Sequence, residues 1–254
     1  MLGESVLCPK LLRVMLSPMI RDTLLKILTE FETARQNDKF KDHPLANFIR
    51  NDAKENFKLA LGETAKDYII DASPGKGNWV NNPWINIMDE RVTTTAEDGY
   101  YPVYLFSEDQ KTIVLELGQG EYQARKTFKK DTENILISRA AIMRSKVPSH
   151  TNRFKSNISI NLKKGDKVKE RWISSAAFGK VYKINKIPEE NELVEDLKEI
   201  LKLYQIIISK GGVVEGEFKK VYVDQDQDAT GGETKIIKHI DKEIEIIKTD
   251  PKLI

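Results

Sequence analysis

No stretch of this chain leaves fewer folding options open than Asp71 to Phe106, DASPGKGNWVNNPWINIMDERVTTTAEDGYYPVYLF. It holds two of the three tryptophans (Trp79, Trp84), three of the eight tyrosines (Tyr100, Tyr101, Tyr104) and six Pro or Gly residues around two short runs. Ser73 to Asn78 reads as a tight loop, because Gly75 and Gly77 reach backbone angles closed to other residues and Pro74 fixes its own φ. Trp84 to Met88 and Tyr101 to Phe106 are rich in β-branched and aromatic residues and read as strands. Alternation then puts Tyr101, Val103 and Leu105 on one face and Tyr104 and Phe106 on the other. Two readings stay open on the residues alone. One is a flat-ligand pocket, with π faces from Trp84 and Tyr101, an apolar floor from Leu105 and a glycine loop that approaches a ligand closely. The other is a set of aromatics buried in the core of a sheet.

The spaced set Gly75-x-Gly77-Asn78-Trp79, Pro83-Trp84 and Gly99-x-Tyr101-Pro102-Val103-x-Leu105 resembles the N-terminal DNA-recognition domain of the McrB restriction protein, the MrcB-like N-terminal family. The resemblance is strongest over 67–120 and extends from about Pro18 to Ile208. It implies a domain that finds methylated or hydroxymethylated cytosine by rotating the base out of the duplex. Its partner would be double-stranded DNA, within a modification-dependent restriction or phage-defence system in which a nuclease or motor subunit supplies cleavage. By the same resemblance Trp84, Tyr101 and Leu105 form the modified-base pocket, and Gly75, Lys76, Gly77, Asn78 and Trp79 form a DNA-contacting loop. A flipped base needs stacking surfaces that offset an unstacking cost of roughly a few kcal/mol. The chain departs from the family at Lys76, where the member that reads methylcytosine has an aromatic, and a lysine there points to a phosphate contact.

Charge adds a second line. The net charge is only +2 over 254 residues, yet Tyr122 to Arg171 carries 14 Lys and Arg against 4 Asp and Glu, a local excess of +10. Such a segment attracts a phosphate backbone, or else serves as a solvated face. Arg125, Lys126, Lys129 and Lys130 are the expected phosphate contacts, with Lys163 and Lys164 behind them. The single cysteine, Cys8, excludes an internal disulfide framework and a cysteine-cluster zinc site, which fits a cytoplasmic protein. No apolar run approaches the roughly 18 residues that a membrane span needs.

The expected architecture is α+β, a central mostly antiparallel or mixed sheet flanked by helices in a single main domain. Its boundaries are read as 18–212, after an N-terminal extension over 1–17 and before a strand, linker and tail over 213–254. Ser17-Pro18 opens a helix whose apolar face is Ile20, Leu24, Ile27, Leu28 and Phe31. Pro44 to Leu61 carries further helix signals, and His43, before a proline, reads as a turn residue. Tyr68 to Ile70 is a strand leading into the glycine loop, and Lys111 to Gly118 a third strand in a meander. Glu121 to Ser145 reads as one helix. Arg171 to Tyr182 reads as a strand pair or bend with Gly179 as a bulge and Trp172 as a core residue. Pro188-Glu189-Glu190 opens the clearest helix, striped by Leu193, Leu197, Ile200, Leu201, Tyr204, Ile207 and Ile208 and stopped by Gly211-Gly212.

Catalytic signatures are absent from the sequence. There is no GxxxxGKS/T phosphate loop, no GxSxG elbow, and His43, His150 and His239 have no metal-ligand spacing. The acids at Asp224, Asp226 and Asp228 begin a calcium-loop pattern that fails at Ala229 and Lys235. Carboxylates such as Asp89, Glu90 and Glu116 are the scattered pairs that 39 acids produce by chance. The chain is therefore expected to have no metal, no cofactor and no catalysis of its own. Three other functions remain in view: a reader of unmodified DNA through Lys76 and Trp79, a protein-interaction module without DNA binding, and a nuclease, which would show metal-dependent cleavage.

Overall fold

The computed structural model describes residues 20–147, 153–156 and 175–214. The expectations for Ser17-Pro18, Lys163, Lys164, Trp172, the Asp224 loop and the tail beyond Val214 lie outside them. In chain order the elements are α1 (Ile20–Asn37), α2 (Pro44–Arg50), α3 (Asp52–Leu61), β1 (Ile69–Ser73), β2 (Trp84–Met88), β3 (Tyr100–Phe106), β4 (Thr112–Gln119), α4 (Tyr122–Phe128), α5 (Thr132–Ser145), β5 (Phe178–Lys183) and α6 (Glu190–Ser209).

The five strands pair in sequence order, β1-β2-β3-β4-β5, and every pairing is antiparallel. One face is the core. Ile85, Ile87, Tyr104, Phe106, Ile113, Leu115 and Leu117 are buried there together with the apolar stripes of α1, α3 and α6. Phe57 of α3 meets Tyr104 edge-on at 5.1 Å between ring centroids, and Tyr204 of α6 meets Tyr100 at 5.7 Å. Edge-to-face contact of this kind adds about 0.5 to 1.5 kcal/mol beyond area burial. The fold is thus α+β, a single domain with an antiparallel sheet.

Two polar contacts hold the helical layer in place. The first amides of α1 donate to the Glu190 carboxylate, Ile20 N to Oε1 at 2.9 Å and Arg21 N to Oε2 at 2.8 Å. A carboxylate there satisfies donors that have no partner inside the helix and complements the positive end of its dipole. On α6, the fully buried Asp196 accepts from Tyr182 Oη of β5 at 2.9 Å, from Lys180 Nζ at 2.6 Å and from Arg153 at 3.0 Å. The turn role of His43 takes the form of a helix cap, its Nδ1 accepting from Leu45 N at 3.1 Å at the start of α2.

Two local expectations need correction. The helix read over Glu121 to Ser145 is two helices, α4 and α5, separated by a 3-10 turn at Lys129–Asp131. Lys129 takes a positive φ of 48° with ψ −110°, which no helix can continue, and the Thr132 hydroxyl donates back to its carbonyl at 2.6 Å. The span RKTFKKD offers a single apolar residue, Phe128, with which to continue a stripe. Gly179 is not a bulge: it sits in regular register opposite Glu116 and exchanges two 2.9 Å hydrogen bonds with Lys155 on its other side.

Candidate nucleic-acid interface

The second face of the sheet carries the site, and strand register builds it. Val103 of β3 lies between Asn86 of β2 and Glu116 of β4, each directly opposite it. Neighbouring strands are about 4.8 Å apart, so Asn86 and Glu116 stand roughly 10 Å apart across Val103. Two residues along β3 in one direction is Leu105, paired with Trp84 and Val114; two in the other is Tyr101, paired with Gly118. Side chains at i and i+2 share a face, so Trp84, Leu105, Asn86, Val103, Glu116 and Tyr101 frame one cleft of about 260 Å³. The alternation read from the sequence thus brings the three expected pocket residues to a single cavity. Leu105, Val114 and Ala176 form a small apolar cluster at its Trp84 end.

The Tyr101 end is closed by the β2–β3 connection and the start of α4. Tyr101 Oη donates to Ala96 O at 2.7 Å, and Ala96, Gln119, Glu121, Tyr122 and Arg125 complete the lining. Gly120 makes this closure possible: a Cβ there would fall 2.3 Å from Asp98 N, so only glycine lets the β4–α4 turn press against that loop. Gly120 N and Gln123 N then donate to Gly99 O at 2.9 Å and Glu97 O at 3.1 Å. Tyr122, half exposed, stands at the rim with Lys126 Nζ 4.6 Å from its ring centroid.

The cleft is polar in a specific way. Asn86 has no solvent exposure, and among the described residues neither its Nδ2 nor its Oδ1 has a hydrogen-bond partner. Burial, with Glu121 nearby as a second cause, pushes the Glu116 carboxyl up to about 8. Burial also lifts the Tyr101 phenol well above its ordinary value. Glu121 holds Arg125 through one carboxylate oxygen, accepting from its Nε at 3.1 Å and from a terminal nitrogen, while its Oε1 is buried without a partner.

The glycine loop lies elsewhere. It follows Ser73, which pairs with Trp84, so it caps the Trp84 end of the sheet, whereas α4 follows Gln119 at the opposite end. Gly75, with φ 126°, has no room for a Cβ, which would fall 1.9 Å from Asn78 O. Arg50 of α2 donates to Gly75 O at 3.2 Å. Lys76, Gly77 and Asn78 are exposed, and Asn78 Oδ1 accepts from Trp79 N at 2.9 Å. Trp79 is turned into the helical layer: its indole donates to Asp38 O at 3.1 Å and its ring meets Phe31, Phe40 and His43 edge-on within 5.2 Å. None of these five loop residues lines the cleft. Lys126, Lys129 and Lys130 are exposed on and after α4, and Arg125 is half-buried at the cleft wall.

Asn86, Glu116 and Tyr122 escaped the sequence reading as site residues. Glu116 left a signal, a lone acid in the apolar run Thr-Ile-Val-Leu-Glu-Leu, whereas Asn86 needed the register. Asp89, grouped with Glu116 on sequence, instead serves a structural pair: the guanidinium of Arg91 holds its carboxyl down at about 2. Its Oδ2 also accepts from Gln205 at 2.9 Å. Among the described residues no three His, Cys, Asp or Glu side chains cluster as a metal site, and no helix is long and apolar enough to cross a membrane.

The architecture is a helix-backed antiparallel sheet whose second face holds an aromatic-lined cleft, with exposed lysines beyond each end. Comparison with protein families makes this specific: the model described as MrcB-like, N-terminal domain, matches residues 26–209, and the chain belongs to that family. It is a McrB-type DNA-binding domain of the kind found in restriction systems. A search of curated proteins returned no match.

Proposed function

We propose that this domain recognises a modified cytosine rotated out of duplex DNA into the cleft above Val103. The observation that carries the reading is the convergence of Trp84, Tyr101 and Leu105 on one cavity of about 260 Å³. That volume is slightly below the roughly 300 to 1,000 Å³ of pockets for drug-sized ligands and suits a single flat ring. A base standing over Val103 has Trp84 on one side and Tyr101 on the other. Stacking on aromatic side chains contributes about 1 to 3 kcal/mol per base, so two walls offset the few kcal/mol lost on unstacking. Leu105 supplies the apolar contact for a substituent at the base's 5-position.

The phosphate backbone is held at both ends of the cleft, by Lys76 on the glycine loop and by Lys126, Lys129 and Lys130 beyond Tyr101. Arg125, tied to Glu121, acts at the cleft wall. Asn78 and the two glycines shape the loop, and Trp79 anchors it. This anchoring role for Trp79 disfavours a groove reader built on the loop alone. The domain serves as the targeting part of a modification-dependent restriction or phage-defence system in the cytoplasm, and a nuclease or motor module supplies cleavage.

Fluorescence anisotropy tests the reading with one duplex in unmodified, methylated and hydroxymethylated forms. The modified duplex is expected to bind roughly tenfold tighter or more, the scale of one methyl in an apolar pocket. Trp84→Ala is expected to erase that difference. Equal binding of all three duplexes, unchanged by Trp84→Ala, would leave a backbone or groove reader, and no binding at any salt concentration would leave a protein-interaction module.

A further inference from the structure

The aromatic walls explain how a flat ring is held but not how its edge is read. We infer that Asn86 and Glu116 are the polar pair that reads the edge of the base in the cleft, selecting a ring that presents an amino group beside a ring-nitrogen acceptor. This inference rests on the base-pocket reading above.

Three observations converge on it. Asn86 is completely buried, with a donor and an acceptor that none of the described residues satisfies. Buried side-chain amides are nearly always paired, so an orphan amide that lines a cleft offers a donor and an acceptor to a polar edge entering it. Glu116 stands at the mirror position across Val103, 2% exposed and lining the same cavity. Its position over bare backbone is the third observation: a Cβ on Gly118 would fall 2.8 Å from Glu116 Oε1, so the missing side chain at 118 is what lets the carboxyl lie toward Tyr101. A ring held between Trp84 and Tyr101 therefore turns one lateral edge to Asn86 and the other to Glu116.

The chemistry follows from the state of the acid. With its value at about 8, Glu116 is protonated at neutral pH and carries both a donor and an acceptor. Cytosine presents a 4-amino donor next to the N3 acceptor. The Glu116 hydroxyl donates to N3, its carbonyl accepts one amino hydrogen, and Asn86 Oδ1 accepts the other from the opposite side. Once ionised, Glu116 has no donor to offer and sets a negative charge against N3. The other titratable groups facing it are Tyr101 of β3, Glu121, Tyr122 and Arg125 at the α4 end, and Lys155 across Gly179. Tyr101 titrates far above the pH range concerned.

The test measures binding of methylated and unmodified duplex at pH 6.5 and pH 9 for the wild type, Glu116→Gln, Glu116→Leu, Asn86→Leu and Trp84→Ala. If only the protonated form binds the base, wild-type affinity for the modified duplex falls about tenfold over this range, in proportion to the protonated fraction. Glu116→Gln, which offers the same donor and acceptor without a titrating proton, keeps the pH 6.5 affinity and loses the fall. Glu116→Leu and Asn86→Leu lose roughly tenfold in preference for the modified duplex and keep salt-dependent binding of the unmodified one. The inference is overturned if both leucine variants retain the preference, or if the wild type and Glu116→Gln share one pH profile. With Trp84→Ala still abolishing the preference, that result leaves the pocket standing with its edge read by other groups. A silent Trp84→Ala removes the pocket itself. Glu116→Gln, close in shape to the native residue, keeps the test valid if a leucine variant fails to fold.

Discussion

Glu116 is a residue whose protein-level cost can be measured without any DNA. Its folded value of about 8 lies above the ordinary 4.5, so the folded protein keeps a proton that the unfolded chain has already released between those two values. Folding stability therefore falls as pH rises from about 4.5 through about 8, because the unfolded state binds fewer protons there. Glu116→Gln removes this dependence. Its melting temperature is expected to match the wild type most closely near pH 5 and to exceed it by a growing margin up to pH 8.5. Parallel melting curves across that range would show that the carboxyl is not desolvated in the fold. Period-two alternation and rare aromatics marked Trp84, Tyr101 and Leu105 in the sequence as pocket or core, and the family resemblance singled out the pocket reading. Asn86 and Glu116 were not marked in this way, because nothing local to either says that Val103 lies between them. That fact belongs to the pairing of three strands.

At the scale of elements, the strands and the long helices were readable from β-branched runs and apolar stripes. What escaped was long-range or conformational. The cap that Glu190 places on α1 joins residues 170 positions apart, and the break between α4 and α5 depends on the positive φ of Lys129. The Asp196 cluster is of the first kind, a carboxylate on α6 gathering Tyr182 and Lys180 of β5 and Arg153 from a separate segment. Asp196→Ala would leave the buried Tyr182 hydroxyl without its acceptor and two cations without their counter-charge. Because Lys180 and Arg153 retain partial access to water, the expected loss is about 2 to 3 kcal/mol, below the figure for a fully enclosed pair. Urea denaturation measures it, and a change under about 0.5 kcal/mol, the range of ordinary surface substitutions, would mean that the cluster contributes little.

Over the whole molecule, a net charge of +2 conceals a basic region that begins at α4. Since phosphate contacts act through released counterions, each one lost should flatten the dependence of log affinity on log salt by about 0.9. Replacing Lys126, Lys129 and Lys130 together with alanine is expected to reduce that slope by roughly 2 to 3 while leaving the ratio of modified to unmodified binding intact. An unchanged slope would move the backbone contacts to another surface. The sequence revealed the excess of charge and not its placement, because the β-meander alone decides that the glycine loop and α4 emerge at opposite ends of the cleft.

The interleaving of the two faces has a further consequence. Along β2, β3 and β4, positions 84, 86, 101, 103, 105 and 116 look onto the cleft, and the residues between them, such as Ile85, Tyr104 and Leu115, look onto the helices. Each strand thus carries two messages in alternate letters, one for recognition and one for cohesion. A mutation on the cleft face leaves the helix-facing residues in place, so the stability cost of a new target falls on the buried cleft residues, Tyr101, Val103 and Leu105 among them, and not on the side chains that hold the helices.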